Sequence, residues 1–413
     1  MKNAYIISTG SELLLGTTLD SNSVFLASRL MEMGIKVIGK ITVGDNQEQL
    51  SRAFQVGVES ADIVISTGGL GPTFDDLTKI VASEIMGCSL VLWPEEEERL
   101  RKWFAKRERP MPEINLRQAM FPAEAIVLAN SKGTAPGMYL RKNAKIMILL
   151  PGPPREMQNM YLNEVEPLLK KDFANDLPKI IRRTIKIMGL GESQVEERLG
   201  DLMNCPEGIS MALLATAGEV HIRLAGEAAN DGSRLLSDFA TRIARKMGRN
   251  VFGLDDETLV AKTAGLLISK GKKLAVAESC TGGLLGKMIT DKPGSSEYFW
   301  GGVISYSNES KQRILGVRED TLQKYGAVSQ ETAGEMAQGI RRISGADVAL
   351  AITGIAGPEG GSIDKPVGLV YIALAYDNGC DVKECRFGLG RDLIRILSAK
   401  SALDFLRRQM EYS

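Results

Sequence analysis

The chain has 413 residues, with 51 Lys and Arg against 51 Asp and Glu, and it is 44% hydrophobic and 25% charged. At about 100–200 residues per domain, that length implies two to four domains of ordinary globular composition. The composition argues against disordered, collagen-like and coiled-coil classes, and the balanced charge against a broad nucleic-acid-binding surface.

In chain order, Ala4–Ser8 is a short apolar strand run, and Asn22–Met33 a helix with Val24, Leu26, Ala27 and Leu30 apolar. Ile35–Val43 reads as strand, Gln47–Val58 as helix and Asp62–Ser66 as a buried strand. This alternation predicts a mostly parallel sheet covered on both faces. The charged stretch Glu95–Pro110 reads as a solvated helix, a projecting arm. Ile146–Leu150 is another buried strand, followed by a helix over Arg155–Lys171. A polar linker is expected over Asp172–Lys179. Then come a strand (Ile180–Ile187), a helix (Ser193–Met203), two strands (Ile209–Leu214, Glu219–Leu224) and a helix (Gly232–Met247). A second boundary is expected near Gly248–Asp256. In the last third, Leu259, Thr263, Leu266 and Leu267 form a helical stripe. Strands follow at Lys273–Ala277, Gly301–Tyr306, Ala346–Ile352 and Val367–Ala375. Helices follow at Ala333–Ile340 and, terminally, through Ile396, Ala399, Leu403, Leu406 and Met410. The expected class is α/β, in three domains over 1–171, 172–250 and 251–413.

Five cysteines without metal-type pairing and no signal peptide read as a reduced, cytoplasmic protein. No apolar run approaches the roughly 20 residues of a membrane-spanning helix. His221, the single histidine, lies in the strand-like EVHIRL. A Ser-His-Asp triad, a Cys-His dyad or an HExxH zinc site must use it or be absent.

Four constellations carry possible chemistry, each at a strand exit. Thr67-Gly68-Gly69-Leu70-Gly71-Pro72-Thr73 runs into Asp75 and Asp76. It reads either as an ordinary glycine turn or as an anion cradle at the carboxyl end of a strand. Gly10, Glu12, Asp45, Pro151, Gly152 and Glu156 also lie at strand ends, and such carboxylates suit metal-assisted phosphate chemistry. The second constellation is Glu278-Ser279-Cys280-Thr281-Gly282-Gly283, where Ser279 is a nucleophile or a helix cap and Cys280 is its rival. The third places Tyr306 and Lys311 at another strand end, where a buried lysine would serve as base and an exposed one would be inert. The fourth is Thr353-Gly354-Ile355-Ala356-Gly357-Pro358, a substrate loop or a packing turn.

AESCTGG, GGVISYSNESK, AITGIAGPEGG and KPVGLVYIAL together resemble the C-terminal domain of the CinA family, which is similar to nicotinamide mononucleotide deamidases. GSELLLG, TGGLGPTFDDLT and PGPPREM resemble the family's molybdopterin-binding-like N-terminal domain, associated with metal-dependent ADP-ribose pyrophosphatase activity. The middle stretch resembles the family's KH-like domain. The resemblance implies hydrolysis of nicotinamide mononucleotide to nicotinate mononucleotide and ammonia, with Ser279 as nucleophile, Lys311 as its activating base and Tyr306 assisting. Thr281, Gly282, Gly283, Thr353, Gly354 and Arg391 would bind that substrate, and backbone N–H groups near Gly282 and Gly354 would stabilise the oxyanion. It also implies hydrolysis of ADP-ribose to AMP and ribose 5-phosphate. Gly10, Glu12, Asn22, Thr67, Gly68, Gly69, Gly71, Pro72, Thr73, Pro151, Gly152 and Glu156 would hold that substrate. Asp75, Asp76 and Asp45 would hold Mg²⁺, Mn²⁺ or Co²⁺; no cofactor is expected for the deamidase. The alternative is a non-catalytic, nucleotide-binding or regulatory N-terminal domain. Ser11 stands where many relatives carry Asp, which removes one carboxylate from that site. The middle domain lacks the GxxG loop of RNA-binding KH domains, so no nucleic-acid partner is expected. A homodimer is expected, with Phe299 and Trp300 or the charged arm at its interface, and no membrane partner.

Overall fold

A strand sends alternate side chains to opposite faces, so a strand of continuous apolar residues needs cover on both. The computed structural model describes residues 2–173, 179–228, 231–388 and 390–412. The chain divides into two compact units, Met1–Ile181 with Glu227–Asn230, and Arg182–Gly226 with Asp231–Ser413.

The strands of the first unit are β1 (Asn3–Thr9), β2 (Lys36–Val43), β3 (Ile63–Thr67), β4 (Leu90–Leu92), β5 (Met120–Pro122), β6 (Ile126–Leu128), β7 (Gly137–Lys142) and β8 (Lys145–Leu150). Its helices are α1 (Ser11–Leu14), α2 (Ser21–Glu32), α3 (Gln47–Ser60), α4 (Thr78–Ile85), α5 (Pro94–Ala105), α6 (Pro154–Met160) and α7 (Glu166–Asp172). One sheet has the order β2-β1-β3-β8-β7-β6, and β4 pairs with β5 in a separate ribbon. Pairing is parallel from β2 to β8 and antiparallel from β8 to β6. Ile6, Ile63, Ile65, Ile146 and Ile148 face one core with Leu26, Leu30 and Met157. Ile7, Val64, Met147 and Leu149 face the other with Leu50, Phe54 and Val81. Helices therefore cover both faces, as the alternation predicts.

Details depart from the sequence reading. Val24, counted on the apolar face, is exposed, and Leu26 and Leu30 carry the packing. The charged segment is helical only to Ala105, and α5 buries Leu100. A π-turn over Tyr161–Val165 joins α6 to α7 where Pro167 enters, since proline brings no N–H to the ladder. Residues 174–178, most of the expected linker, lie outside the described residues.

In the second unit, β9 (Ile180–Met188), β10 (Ile209–Thr216), β11 (Glu219–Glu227) and β12 (Val251–Leu254) form a sheet of order β10-β11-β9-β12. It is accompanied by α8 (Glu192–Leu199) and α9 (Gly232–Met247). Because β12 pairs antiparallel with β9, Val251–Leu254 belongs to this sheet, inside the stretch read as a boundary. The remaining strands are β13 (Leu274–Glu278), β14 (Phe299–Ile304), β15 (Val348–Gly354), β16 (Leu369–Tyr376) and β17 (Gly379–Arg386), in the order β14-β13-β15-β16-β17. Their helices are α10 (Leu259–Ser269), α11 (Leu284–Thr290), α12 (Asn308–Leu315), α13 (Glu319–Tyr325), α14 (Gln330–Ser344) and α15 (Arg391–Tyr412). One sheet face carries Leu274, Val276, Leu350, Ile352, Ile372 and Leu374 against α10, α11 and α15. The other carries Ala275, Ala277, Ala349, Ala351, Ala373 and Ala375, against which Ala333, Met336, Ala337 and Ile340 of α14 pack. Phe299 packs on the core, whereas Trp300 is half exposed. Among the described residues no helix is long and apolar enough to cross a membrane.

Arg407 on α15 is fully buried and donates to Asp404, Glu411, Arg249 O and Val251 O. Removing one partner of a buried charge pair costs about 3–5 kcal/mol. Asp404→Ala should therefore lower unfolding stability by about that much, measured by thermal or denaturant melts. Glu309→Ala, which breaks the exposed pair with Arg313, should leave the midpoint nearly unchanged.

Candidate active site

β13 is buried throughout and lies between its parallel neighbours β14 and β15. The chain leaves β13 toward β14 on one side and returns with β15 on the other. The carboxyl end of β13 is thus the switch point at which open α/β sheets bind ligands. Ser279 is the first residue beyond it. Its N–H donates to Ile352 O at 3.0 Å, and Ser305 N donates to Glu278 O at 2.8 Å, which ties the three strand ends together.

Lys311 arrives from the other side of this crevice. The Ser307 hydroxyl caps α12 by accepting from Ser310 N, so Lys311 lies in the first turns of the helix and points inward. It is 1% exposed. Its Nζ lies 3.0 Å from Ser279 Oγ, 2.8 Å from Ser305 O and 3.0 Å from Tyr306 O. A neutral amine has two N–H bonds and one lone pair. The two carbonyls take the N–H bonds, which directs the lone pair at the serine hydroxyl. Burial lowers the Lys311 pKa to about 8, within reach of general-base work. Burial also pushes the Cys280 thiol up to about 11, which removes the rival nucleophile near neutral pH. His221 sits in β11 beside Glu219, which also binds Lys400, so the histidine belongs to a charge cluster on the middle sheet.

The other expected residues divide. Tyr306 contributes its carbonyl, while its ring is 62% exposed. The Thr353 hydroxyl donates to Ala327 O at 2.7 Å, and Gly354 pairs with Val370 across the sheet. Arg391 donates to Gly357 O at 2.6 Å, holding the GIAGP loop. Of the N–H groups near Gly282 expected to stabilise the oxyanion, that of Gly282 itself donates to Ser279 O at 3.1 Å, and Gly283 N donates to the Glu278 carboxylate. Two residues were given no role from the sequence, although Glu278 opens the second constellation. Glu278 takes the N–H groups of Gly283, Leu285 and Gly286. Arg395 donates to Thr281 O at 2.8 Å. Position gave a signal for both, one ending the strand before the serine and the other standing one helical turn beyond Arg391.

In the first unit, a cavity of about 410 Å³ opens at the ends of β1, β3 and β8. Gly10, Glu12, Asp45, Gly68, Gly69, Gly71, Pro72, Thr73, Asp75, Asp76, Pro151, Gly152 and Glu156 line it, together with Gln118 and Thr134, which no sequence motif marked. Thr67 lies behind the wall, where its carbonyl accepts from Thr9 Oγ1. Asn22 also lies behind it and donates to Gly152 O at 2.7 Å. Among the described residues no Lys or Arg lines the cavity itself, although Arg117 donates to the carbonyl of its wall residue Thr73 at 2.7 Å. Apart from Glu12, these acids are restrained by neutral donors. Ser11 N and Oγ hold Asp45, Thr73 holds Asp75 and Asp76, and Asn130 holds Glu156 at 2.7 Å. A Cβ at Gly71 would overlap the Asp76 carboxylate, and one at Gly133 the Glu156 carboxylate. A side chain at either position would push that carboxylate out of its present place.

Asp45, Asp75 and Asp76, expected to hold the metal, are not gathered into one cluster. Among the described residues no three His, Cys, Asp or Glu side chains gather closely enough to hold an ion. Asp45 is tied down at the end of β2, and the aspartate pair is tied down on the glycine loop. The oxygen donors still suit a hard divalent cation bound through one or two carboxylates plus phosphate oxygens.

Residues 256–410 match the CinA C-terminal domain, residues 5–171 the probable molybdopterin binding domain, and residues 182–253 the damage-inducible protein CinA KH domain. A CinA-like protein of Syntrophomonas wolfei subsp. wolfei is 57% identical over 413 residues, covering 100% of this chain and 99% of that one. A putative competence-damage inducible protein of Caldicellulosiruptor bescii is 45% identical, over 98% of this chain and 99% of its own length. Among solved structures, the competence/damage inducible protein CihA from Agrobacterium tumefaciens is 42% identical, covering 36% of this chain and 94% of that one, with a TM-score of 0.35.

Two consequences of the buried amine are measurable. Phosphonylation of Ser279 by a fluorophosphonate should speed up with rising pH and level off above about 8, where Lys311 is neutral. The folded-state pKa lies below the ordinary 10.5, so the fold disfavours the ammonium form; the penalty is complete below about 8 and absent above 10.5. Lys311→Met should therefore melt above the parent at pH 7, with the gap shrinking as pH approaches 10.5.

Proposed function

The chain belongs to the CinA family, and from that premise we propose that its C-terminal domain is an amidase that converts nicotinamide mononucleotide and water to nicotinate mononucleotide and ammonia. The observation that carries this reading is the 3.0 Å approach of the buried Lys311 amine to Ser279 Oγ. Ser279 Oγ attacks the carboxamide carbon as its proton passes to Lys311 Nζ. Lys311 then delivers that proton to the departing nitrogen, which leaves as ammonia. Water, deprotonated by the same amine, cleaves the acyl-serine ester and releases the carboxylate. Thr281 flanks the reacting carbon, and Arg391 is assigned to the substrate phosphate.

For the first unit the reading is a metal-dependent pyrophosphatase that cleaves ADP-ribose to AMP and ribose 5-phosphate. A specific observation favours it: a cavity walled by Glu12, Asp45, Asp75, Asp76 and Glu156 without a cation repels a bare pyrophosphate. Asp75 and Asp76, with Asp45, would hold Mg²⁺, Mn²⁺ or Co²⁺, which supplies charge neutralisation on the phosphate oxygens. The rival reading is a nucleotide-binding or regulatory module without turnover.

Ser279→Ala and Lys311→Ala should each abolish ammonia release from nicotinamide mononucleotide while the proteins still melt cooperatively. Normal turnover in both removes the mechanism. For the first unit, AMP release from ADP-ribose should stop with EDTA and be largely lost in Asp76→Ala. Calorimetric binding of ADP-ribose without AMP release, with any of the three metals, would favour the regulatory module.

A further inference from the structure

The turn after Ser279 is unusual in how it spends its backbone donors. From Ser279 to Lys287, Ser279 N bonds Ile352 O, Gly282 N bonds Ser279 O, Leu284 N bonds Thr281 O and Lys287 N bonds Gly283 O. Gly283 N and Leu285 N bond Glu278 Oε2 at 3.1 and 3.0 Å, and Gly286 N bonds Glu278 Oε1 at 2.8 Å. Among the described residues this leaves two N–H groups in the segment without an acceptor from another residue, those of Thr281 and of Cys280, the latter facing only its own thiol sulfur. A second, independent observation lies in the same turn: Thr281 Oγ1 is buried and has no hydrogen-bond partner. Buried polar groups are nearly always paired, and exceptions mark places completed by something else.

We propose that Glu278 is a positioning residue that prepares the oxyanion hole of the Ser279 reaction, the hole itself being the N–H groups of Cys280 and Thr281. Glu278 is 2% exposed and directs its carboxylate along the backbone. By accepting three consecutive-turn N–H groups, it fixes the path of the chain from Gly283 to Gly286 and withdraws those donors from the reacting carbonyl. Arg395 completes the clamp from α15. Its Nη2 and Nε donate to Thr281 O at 2.8 and 3.3 Å, which fixes the peptide that follows the second donor. Donors held before reaction act without reorganisation when negative charge develops on the acyl oxygen. The N–H of the residue after a strand-exit nucleophile is well placed for this role by the geometry of the turn itself. The inference rests on the reading of Ser279 as nucleophile, but not on the identity of the amide.

The test uses the full chain and two readouts, fluorophosphonate labelling of Ser279 and ammonia release from nicotinamide mononucleotide. In labelling, the Oγ–P bond forms, the P–F bond breaks, fluoride leaves and Lys311 holds the proton. Glu278→Gln keeps the shape, but its NH₂ confronts an N–H donor, so at least one acceptor is lost. The high-pH plateau of labelling, and kcat, should fall about 100-fold, the scale of an oxyanion donor. The apparent pKa near 8, KM and the melting midpoint should stay within a small margin of the parent's. If Glu278→Gln does not fold, Arg395→Gln decides, with an expected fall of about tenfold at unchanged pKa. A plateau within threefold of the parent overturns the proposal, as does a loss that comes with a shifted pKa, since that would mean Lys311 was displaced. Labelling without ammonia release refutes the substrate assignment, while the plateau ratio still decides the role of Glu278. A parent chain unlabelled at Ser279 refutes both.

Discussion

Burying a lysine amine is expensive while it keeps its charge, and burial in the second unit lowers the pH at which Lys311 gives that charge up to about 8. A carboxylate partner would hold the ammonium form and raise the pKa, ending its use as a base. Among the described residues, Lys311 Nζ bonds one hydroxyl and two carbonyls and no acid. Glu278, adjacent to Ser279 in the chain, commits its oxygens to three backbone N–H groups. Those bonds give the nucleophile's turn a fixed shape.

The sheet delivers these groups to one another. In the parallel register Glu278 lies opposite both Ile304 and Ile352, so residues just past each strand end share a crevice. Ser279 comes from the centre, Ser305 and Tyr306 from one flank and Thr353 from the other. The alanine face of β13, β15 and β16 lets α14 lie close, while the large residues of the opposite face seat α15. That seating matters because α15 places Arg391 and Arg395 one helical turn apart, each holding a backbone carbonyl of a different site loop. Two loops from separate strands are thus referenced to one rigid helix, which is itself anchored where the buried Arg407 donates to Arg249 O and Val251 O.

What the sequence discloses follows from what each residue acts upon. Ile63–Thr67 and Leu274–Glu278 were legible because a run of buried apolar residues between turn signals has few other readings. Ser279 and Lys311 were legible because reactive groups at strand exits carry their chemistry in the side chain. Glu278 and Arg395 were missed because they act on main-chain groups, and no side-chain pattern advertises a carbonyl or an N–H. Hairpin edges were also missed, although signals were present. Asn143 and Ala144 turn β7 into β8 with positive φ at both residues, and Asp377-Asn378 turns β16 into β17. Read by composition alone, such segments pass for loops. The Gly248–Asp256 stretch looked like a boundary because a four-residue edge strand carries almost no periodicity.

The first unit treats charge in the opposite way. Where the Ser279 crevice lowers the pKa of a buried amine, the cavity above β1, β3 and β8 gathers acids. Serine at position 11 is part of that design. Its N–H and hydroxyl both donate to Asp45, a contact an aspartate side chain at the same place would turn into repulsion. Thr73 and Asn130 play the same part toward Asp76 and Glu156. Neutral donors order these carboxylates around the cavity without forming ion pairs with them. Under the proposed pyrophosphatase reading, a cation that neutralises phosphate oxygens would link metal affinity to phosphate affinity, each raising the other by the same factor.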